Sequence, residues 1–302
     1  MYRYIAKRII LAALTLLIAS AATFFIMYAI PGGPFNSEKV SAAVRAVLEK
    51  RYGLDRPVWE QYISYMGGLL RGDWGVSLRT GRSVAEIIFP SFAVSARIGA
   101  AAAALSAAVG VFLGCIAAAR RGKAADRIIS FLSALGTAVP NFILATLLLL
   151  VFCYALALVP VWSADGGSLV LPIIALAVYP ASYITRLTRS SMLDVLSEDY
   201  MRVVRAKGAS NARAIFVHAL RGTLTPVVAY FAPMFAYIIT GSLVVESVFT
   251  IGGLGSKFVR SIIDSDYTVI MGVTIFLSAL LILANLVSDV LCALLDRRAA
   301  LE

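Results

Sequence analysis

Apolar residues run through this chain in stretches much longer than a half-buried helix or strand requires. A spanning helix needs roughly 20 apolar residues. Six stretches reach about that length: 9–30, 93–119, 129–159, 169–189, 225–249 and 269–294. Hydrocarbon offers the backbone no hydrogen-bond partner, so each is expected to be an α-helix. The expected fold class is an all-α integral membrane protein with six transmembrane helices. Pro140, Pro180 and Pro233 fall inside these stretches and are expected to kink them, because proline frees a carbonyl in the preceding turn. The first stretch follows Arg3, Lys7 and Arg8. It is longer than the roughly 7–15 apolar residues of a cleaved signal peptide, so it is read as a retained helix.

The pattern between the first two spans is amphipathic rather than continuously apolar. Val40, Ala43, Val44, Val47 and Leu48 recur at helical spacing before a stop signal at Gly53. Pro57 then opens a second helix expected to place Trp59, Tyr62, Ile63, Met66, Leu69 and Leu70 on one face. Gly72-Asp73-Trp74-Gly75 reads as a turn. Such helices can lie on the outer leaflet, meet a soluble partner, or pack on their own chain. The expected organisation is an N-terminal transmembrane helix over 1–30, an external helical segment over 31–92, and a five-helix core over 93–302 with a cytoplasmic loop at about 190–226.

Charge sets the orientation. Basic residues gather at the N-terminus, in the second connection (Arg120, Arg121, Lys123, Arg127) and in the fourth (Arg202, Arg205, Lys207, Arg213, Arg221). They gather again at the C-terminus (Arg297, Arg298), while the connection over 160–168 holds no Lys or Arg. The excess of Lys and Arg on the cytoplasmic side of membrane proteins places both termini in the cytoplasm. Of the 302 residues, 60% are hydrophobic and only 15% charged, and the net charge is +10. A nucleic-acid binder can share that net charge, but here the basic residues sit between apolar runs, which fits contact with anionic membrane lipid and no nucleic-acid partner. Cys115, Cys153 and Cys292 lie in apolar runs with neither metal-ligand spacing nor a paired framework.

Catalytic chemistry finds little support. His218 is the one histidine, and no zinc-protease or serine-hydrolase motif occurs. Ile251-Gly252-Gly253-Leu254-Gly255-Ser256-Lys257 resembles a phosphate-binding loop superficially but has the wrong spacing and no preceding strand. No catalytic residue, metal ligand or cofactor is expected in this chain. The fourth connection is the informative one. Ser197-Glu198-Asp199 supplies a helix start with acidic residues in its first turn. Val203, Val204 and Ala206 offer small apolar contacts among Arg202, Arg205 and Lys207, and Gly208 can end the helix. Ala212, Ile215, Phe216 and Ala219 then recur at helical spacing. Two short helices at an angle are expected. They suit either docking into a groove of a soluble partner or a basic loop held by lipid phosphates.

The segment from Tyr183 to Ser210 also carries a resemblance. Arg205-Ala206-Lys207-Gly208 and His218-Ala219-Leu220-Arg221 resemble the coupling region of binding-protein-dependent ABC importer permeases of the dipeptide/oligopeptide branch, which shares its permease type with some nickel importers. Tyr52 to Pro57 with Gln61-Tyr62, Gly72 to Ser77, Val244 to Phe249, Gly253-Leu254-Gly255, Asp266-Tyr267 and Asn285 to Asp296 are similar to that branch as well. The resemblance implies a type I permease fold in the bacterial inner membrane. It implies a second homologous permease subunit, two cytoplasmic ATPase subunits that bind ATP and Mg, and an external substrate-binding protein. It assigns ATPase coupling to Glu198, Asp199, Tyr200, Arg202, Val203, Val204, Arg205, Ala206, Lys207, Gly208, His218 and Arg221. Asn141, Ser182, Tyr183 and Ser242 are the polar residues within spans that qualify for the substrate path, with helix–helix hydrogen bonding as the alternative role for each. Nickel or another small solute is the alternative cargo. A self-contained secondary carrier is the alternative class, but it calls for inverted repeats and intramembrane carboxylates, and neither is evident.

Overall fold

The computed structural model describes residues 2–29, 56–162 and 167–295. Among them the chain is helical, apart from connecting turns and one isolated antiparallel bridge between Val76 and Ser83. In order the helices are α1 (Tyr2–Ala29), α2 (Val58–Leu70), α3 (Val84–Ala119), α4 (Ala124–Ala138), α5 (Asn141–Leu148) and α6 (Val170–Ser197). There follow α7 (Asp199–Ala206), α8 (Asn211–Arg213), α9 (Leu220–Ile239), α10 (Leu243–Val248), α11 (Leu254–Ile263) and α12 (Tyr267–Leu295). π-helical turns over Leu149–Ala155 and Ala214–Ala219 extend α5 and join α8 to α9. The helix expected from Val40, the stop at Gly53, the Tyr52–Asp55 part of the resemblance and the residues beyond Leu295 lie outside the described residues.

Five segments are long and apolar enough to cross a membrane: Arg8–Ala29, Val84–Ala119, Val170–Ser197, Asn211–Val248 and Tyr267–Val287. The third expected span, 129–159, makes a sixth candidate, because Ala124–Ala138 and Asn141–Ala155 pass the same test together. It is two helices, α4 and α5 with its π-turn, bent by 103° at the break between them. Val139 is extended (φ −81°, ψ 122°) because the residue before proline is pushed out of the α region, and Pro140 then serves as the N-cap of α5. The second span, expected at 93–119, is part of a longer helix: α3 starts at Val84, so hydropathy marks where the helix becomes apolar and not where its backbone begins. The fifth, expected at 225–249, starts by Asn211 and breaks after Ile239, where Gly241 takes φ +95°.

The chain forms two compact units, residues 1–93 with 257–286 and residues 94–256 with 287–302. In the first, Met27 of α1 joins Ile270, Met271 and Ile275 of α12, with Phe24, Tyr65, Met66 and Leu69 packed on them. The single apolar face expected for α2 is divided. Tyr62 bonds Ser20 (2.8 Å) and meets Phe24 edge-on, while Trp59, Ile63 and Leu70 are exposed. The turn after α2 is tied to the start of α12. Ser77 donates to the buried Asp266 carboxylate, the Leu78 N–H donates to the same group (3.1 Å), and Thr268 donates to the Val76 carbonyl (2.7 Å).

The second unit is built around α6. Gly110 and Gly114 of α3 lie against it so closely that a Cβ on either would stand 2.7 Å from Ile184 Cβ or 2.5 Å from Thr188 Cβ. Such small-residue seams are how helices associate in lipid, where apolar side chains gain nothing from leaving one hydrocarbon for another. Ile98, Ala102, Leu176, Ile184, Val227 and Val245 fill the core beside this seam. The carboxylate of Asp126, at the start of α4, is nearly fully buried and takes a two-point contact from Arg189 of α6 (Nε 2.6 Å, Nη2 2.8 Å) and a third from the Gly122 N–H (2.9 Å). Planar two-point pairing of this kind fixes geometry as well as charge. Arg189 is thus committed to an intramolecular partner.

Candidate functional site

The exposed knob between α6 and α9 begins where Glu198 takes an extended backbone (φ −69°, ψ 151°) and turns the chain into α7. Helical spacing divides its residues between an inner and an outer stripe. Met201, fully buried, and Val204, half-buried, point inward onto Cys115, Met192, Val195, Ile215 and Ala219. Val203 and Ala206 point outward, and Tyr200 lies at the edge of that stripe, its hydroxyl 3.8 Å from where a Cβ on Gly222 of α9 would stand; Tyr200 and Val203 are 42% and 53% exposed. Of the apolar residues expected to dock, Val203 and Ala206 are exposed and Val204 is half-buried on this chain's own core. Val204 holds the knob to its own protein, Tyr200 borders the outer face, and Met201 is an anchor that sequence reasoning missed. The i, i+3 spacing of Met201 and Val204 was its signal.

Polar residues of α7 stay in solvent. Glu198, Arg205 and Lys207 are exposed, and Asp199 pairs with Arg202 at 3.2 Å. Both partners are almost fully exposed, so the pair contributes at most about 1 kcal/mol. Gly208 closes the helix with φ +82°, its N–H donating to the Arg205 carbonyl (2.9 Å). Ser210 then caps the next helix by accepting from the Arg213 N–H (3.3 Å). The second short helix expected here is corrected: from Asn211 the chain runs through the π-turn into α9 without a break. His218 and Arg221 are exposed along this run, as are Phe216 and Val217.

The span candidates sit in different surroundings. Ser182 is buried, its Oγ filling the space beside Gly136 where a Cβ would otherwise go. Ser242 caps α10 by accepting from the Val245 N–H (3.2 Å). Asn141 is half-buried at the start of α5. Tyr183 is 41% exposed and stacked on Tyr230, with ring centroids 4.2 Å apart and planes at 27°.

A buried carboxylate escaped sequence reasoning. Glu246 of α10 is 1% exposed. It accepts from Ser95 Oγ (2.7 Å) and from the N–H groups of Gly255 (2.8 Å) and Ser256 (3.2 Å). Ser95 Oγ in turn accepts from the Leu254 N–H (2.8 Å). The loop that superficially resembled a phosphate cradle does hold an anion at a helix N-terminus, and the anion is this chain's own side chain. A carboxylate inside the apolar stretch 225–249 was the available signal. Among the described residues, no group of three or more His, Cys, Asp or Glu is placed to hold a metal ion.

Long apolar helices around a small-residue seam, with an exposed amphipathic knob between two of them, define a multi-pass membrane protein. Residues 110–301 match the family of binding-protein-dependent transport system inner membrane components, and residues 1–98 match the N-terminal family of the same membrane components. The chain belongs to that permease family. It is 43% identical over 306 residues to the dipeptide transport system permease protein DppB of Bacillus subtilis, covering 100% of this chain and 99% of the relative. It is 38% identical over 304 residues to DppB of Lactococcus lactis, covering 100% of both. Against the oligopeptide transport system permease protein OppB of Escherichia coli it is 38% identical over 301 residues, 98% of each.

Proposed function

We propose that this chain is a transmembrane permease subunit of an ATP-driven, binding-protein-dependent importer of peptides, forming half of the translocation path and coupling to a cytoplasmic ATPase through α7. The observation that carries this reading is the end-to-end similarity to dipeptide and oligopeptide permeases, together with an α7 whose inner stripe is anchored and whose outer stripe is free. The partners are a second homologous permease, two ATPase subunits that bind ATP and Mg, and an external substrate-binding protein. This chain binds no cofactor of its own. Both termini lie in the cytoplasm, on the side to which the basic second and fourth connections assign α7.

The mechanism follows from the knob's construction. ATP-driven closure of the ATPases moves α7, and Met201 and Val204 transmit the motion to α6 and α9 because they are packed against both. Switching between inward- and outward-facing states needs contacts that differ between them. Burying Tyr200, Val203 and Ala206 in an ATPase groove at about 25 cal/mol per Å2 supplies a few kcal/mol, enough for a joint that stays attached while it rocks. Proteoliposomes holding the complete assembly are expected to accumulate a labelled dipeptide or tripeptide only with ATP on the ATPase side and binding protein on the other. Uptake by this chain alone would contradict the reading in favour of a self-contained carrier.

A further inference from the structure

Three tyrosines meet near the middle of two spanning helices. Tyr179 and Tyr183 are four residues apart on α6, so they share a face. Tyr183 stacks on Tyr230 of α9 with ring centroids 4.2 Å apart, and Tyr179 lies one helical turn before Tyr183. Tyr179 and Tyr183 are each more than 40% exposed, and Tyr230 is partly so. No described residue forms a hydrogen bond with any of the three hydroxyls, and that of Tyr230 is not sealed inside the protein.

Tyrosine at a membrane surface is ordinary, because its hydroxyl reaches the headgroups. These three lie in mid-span, where lipid tails would leave every hydroxyl without a partner, which hydrocarbon penalises. A neighbouring protein surface or water must therefore meet this face. The cluster carries no charge and offers aromatic faces beside hydroxyls that both donate and accept. Those features suit a ligand with apolar side chains and amide groups in variable sequence, and they do not suit a metal ion.

We propose that Tyr179, Tyr183 and Tyr230 form a peptide-contacting wall of the translocation path, in which the stacked rings pack against side chains and the hydroxyls bond the peptide backbone. This site rests on the importer reading. Among the residues chosen for the path from sequence, Tyr183 alone belongs to it.

The test uses the complete importer in proteoliposomes, with a photoreactive benzoylphenylalanine at position 179 or 183 and labelled trialanine as the probe. The expected result is light-dependent labelling of this chain by the peptide, abolished by excess unlabelled trialanine. Alongside it, Tyr183→Ala is expected to raise the peptide concentration for half-maximal import about tenfold, with Tyr183→Phe shifting it less because the stack survives. A purely structural role would lower the maximal rate and leave that concentration unmoved. Cross-links confined to lipid or to the second permease, with unchanged concentration dependence in Tyr179→Phe and Tyr183→Phe, would overturn the site while wild-type import continues. A wild-type assembly that imports no peptide would overturn the importer reading, and this site with it.

Discussion

Glu246→Ala is expected to destabilise the protein by on the order of 3–5 kcal/mol. The carboxylate sits in the protein at 1% exposure and answers Ser95 Oγ and the N–H groups of Gly255 and Ser256. Its removal leaves two buried donors and the part-buried Ser256 N–H without this acceptor, and the N-terminus of α11 loses its counter-charge. The neighbouring backbone cannot close the gap cheaply. A Cβ on Gly241 would already stand 2.7 Å from Glu246 Oε1, and one on Gly253 would collide with Oε2, so the loop is folded around the carboxylate. Ser95→Ala removes one link of the same network and is expected to cost about 1–2 kcal/mol. Thermal unfolding of the detergent-solubilised chain reads both. A Glu246→Ala protein that melts with the wild type would show that the cluster contributes nothing to holding α10 and α11.

The second large effect falls on transport and not on stability. Gly208→Val is expected to abolish peptide import, by about tenfold or more, while the chain still inserts at wild-type levels. Gly208 has φ +82° and open space around its Cα, so the added side chain meets no neighbour. The difficulty is in the backbone. An L-residue in this region costs roughly 1–2 kcal/mol, more for a β-branched one, and the chain relieves it by re-turning the end of α7. That displaces the outer stripe of Tyr200, Val203 and Ala206 relative to Met201. Gly208→Asn, which tolerates the same φ, is expected to retain most of the import. Uptake assays at matched membrane levels separate the two, and full import by Gly208→Val would remove the hinge from the mechanism.

What the sequence disclosed and what it hid divide along physical lines. Apolar run length and basic residues between runs sufficed for the all-α membrane class, because span length is fixed by bilayer thickness. Run length cannot see where a helix breaks. The 103° corner at Val139-Pro140 and the break after Ile239 both lie inside continuous apolar stretches, where hydropathy stays flat while backbone geometry changes. At the knob, residue types marked α7 and its end at Gly208, but not its facing. Val203 and Val204 are chemically identical, and only the core beneath α7 decides that Val204 turns in and Val203 out. Ser182 and Ser242 illustrate the same limit. Each is a polar residue in a span, and each takes a place in the fold that no local pattern announces, one beside Gly136 and one as a helix cap. Glu246 was visible as a carboxylate in an apolar stretch, yet its partners come from segments as distant in sequence as Ser95, and no local pattern announces them.

The central claim is that the outer stripe of α7 is the joint to the ATPases, and Val203→Asp tests it most directly. Val203 is exposed and outside the core, so a charge there leaves the protein's own packing intact. In a docked joint the same charge would be buried without a partner. The measurement is the amount of ATPase subunit retained when the tagged chain is purified from membranes holding the whole importer. The account predicts that Val203→Asp retains about one-tenth of the wild-type amount or less, at unchanged thermal stability of the chain itself. Full retention of the ATPases by the Val203→Asp chain would contradict it.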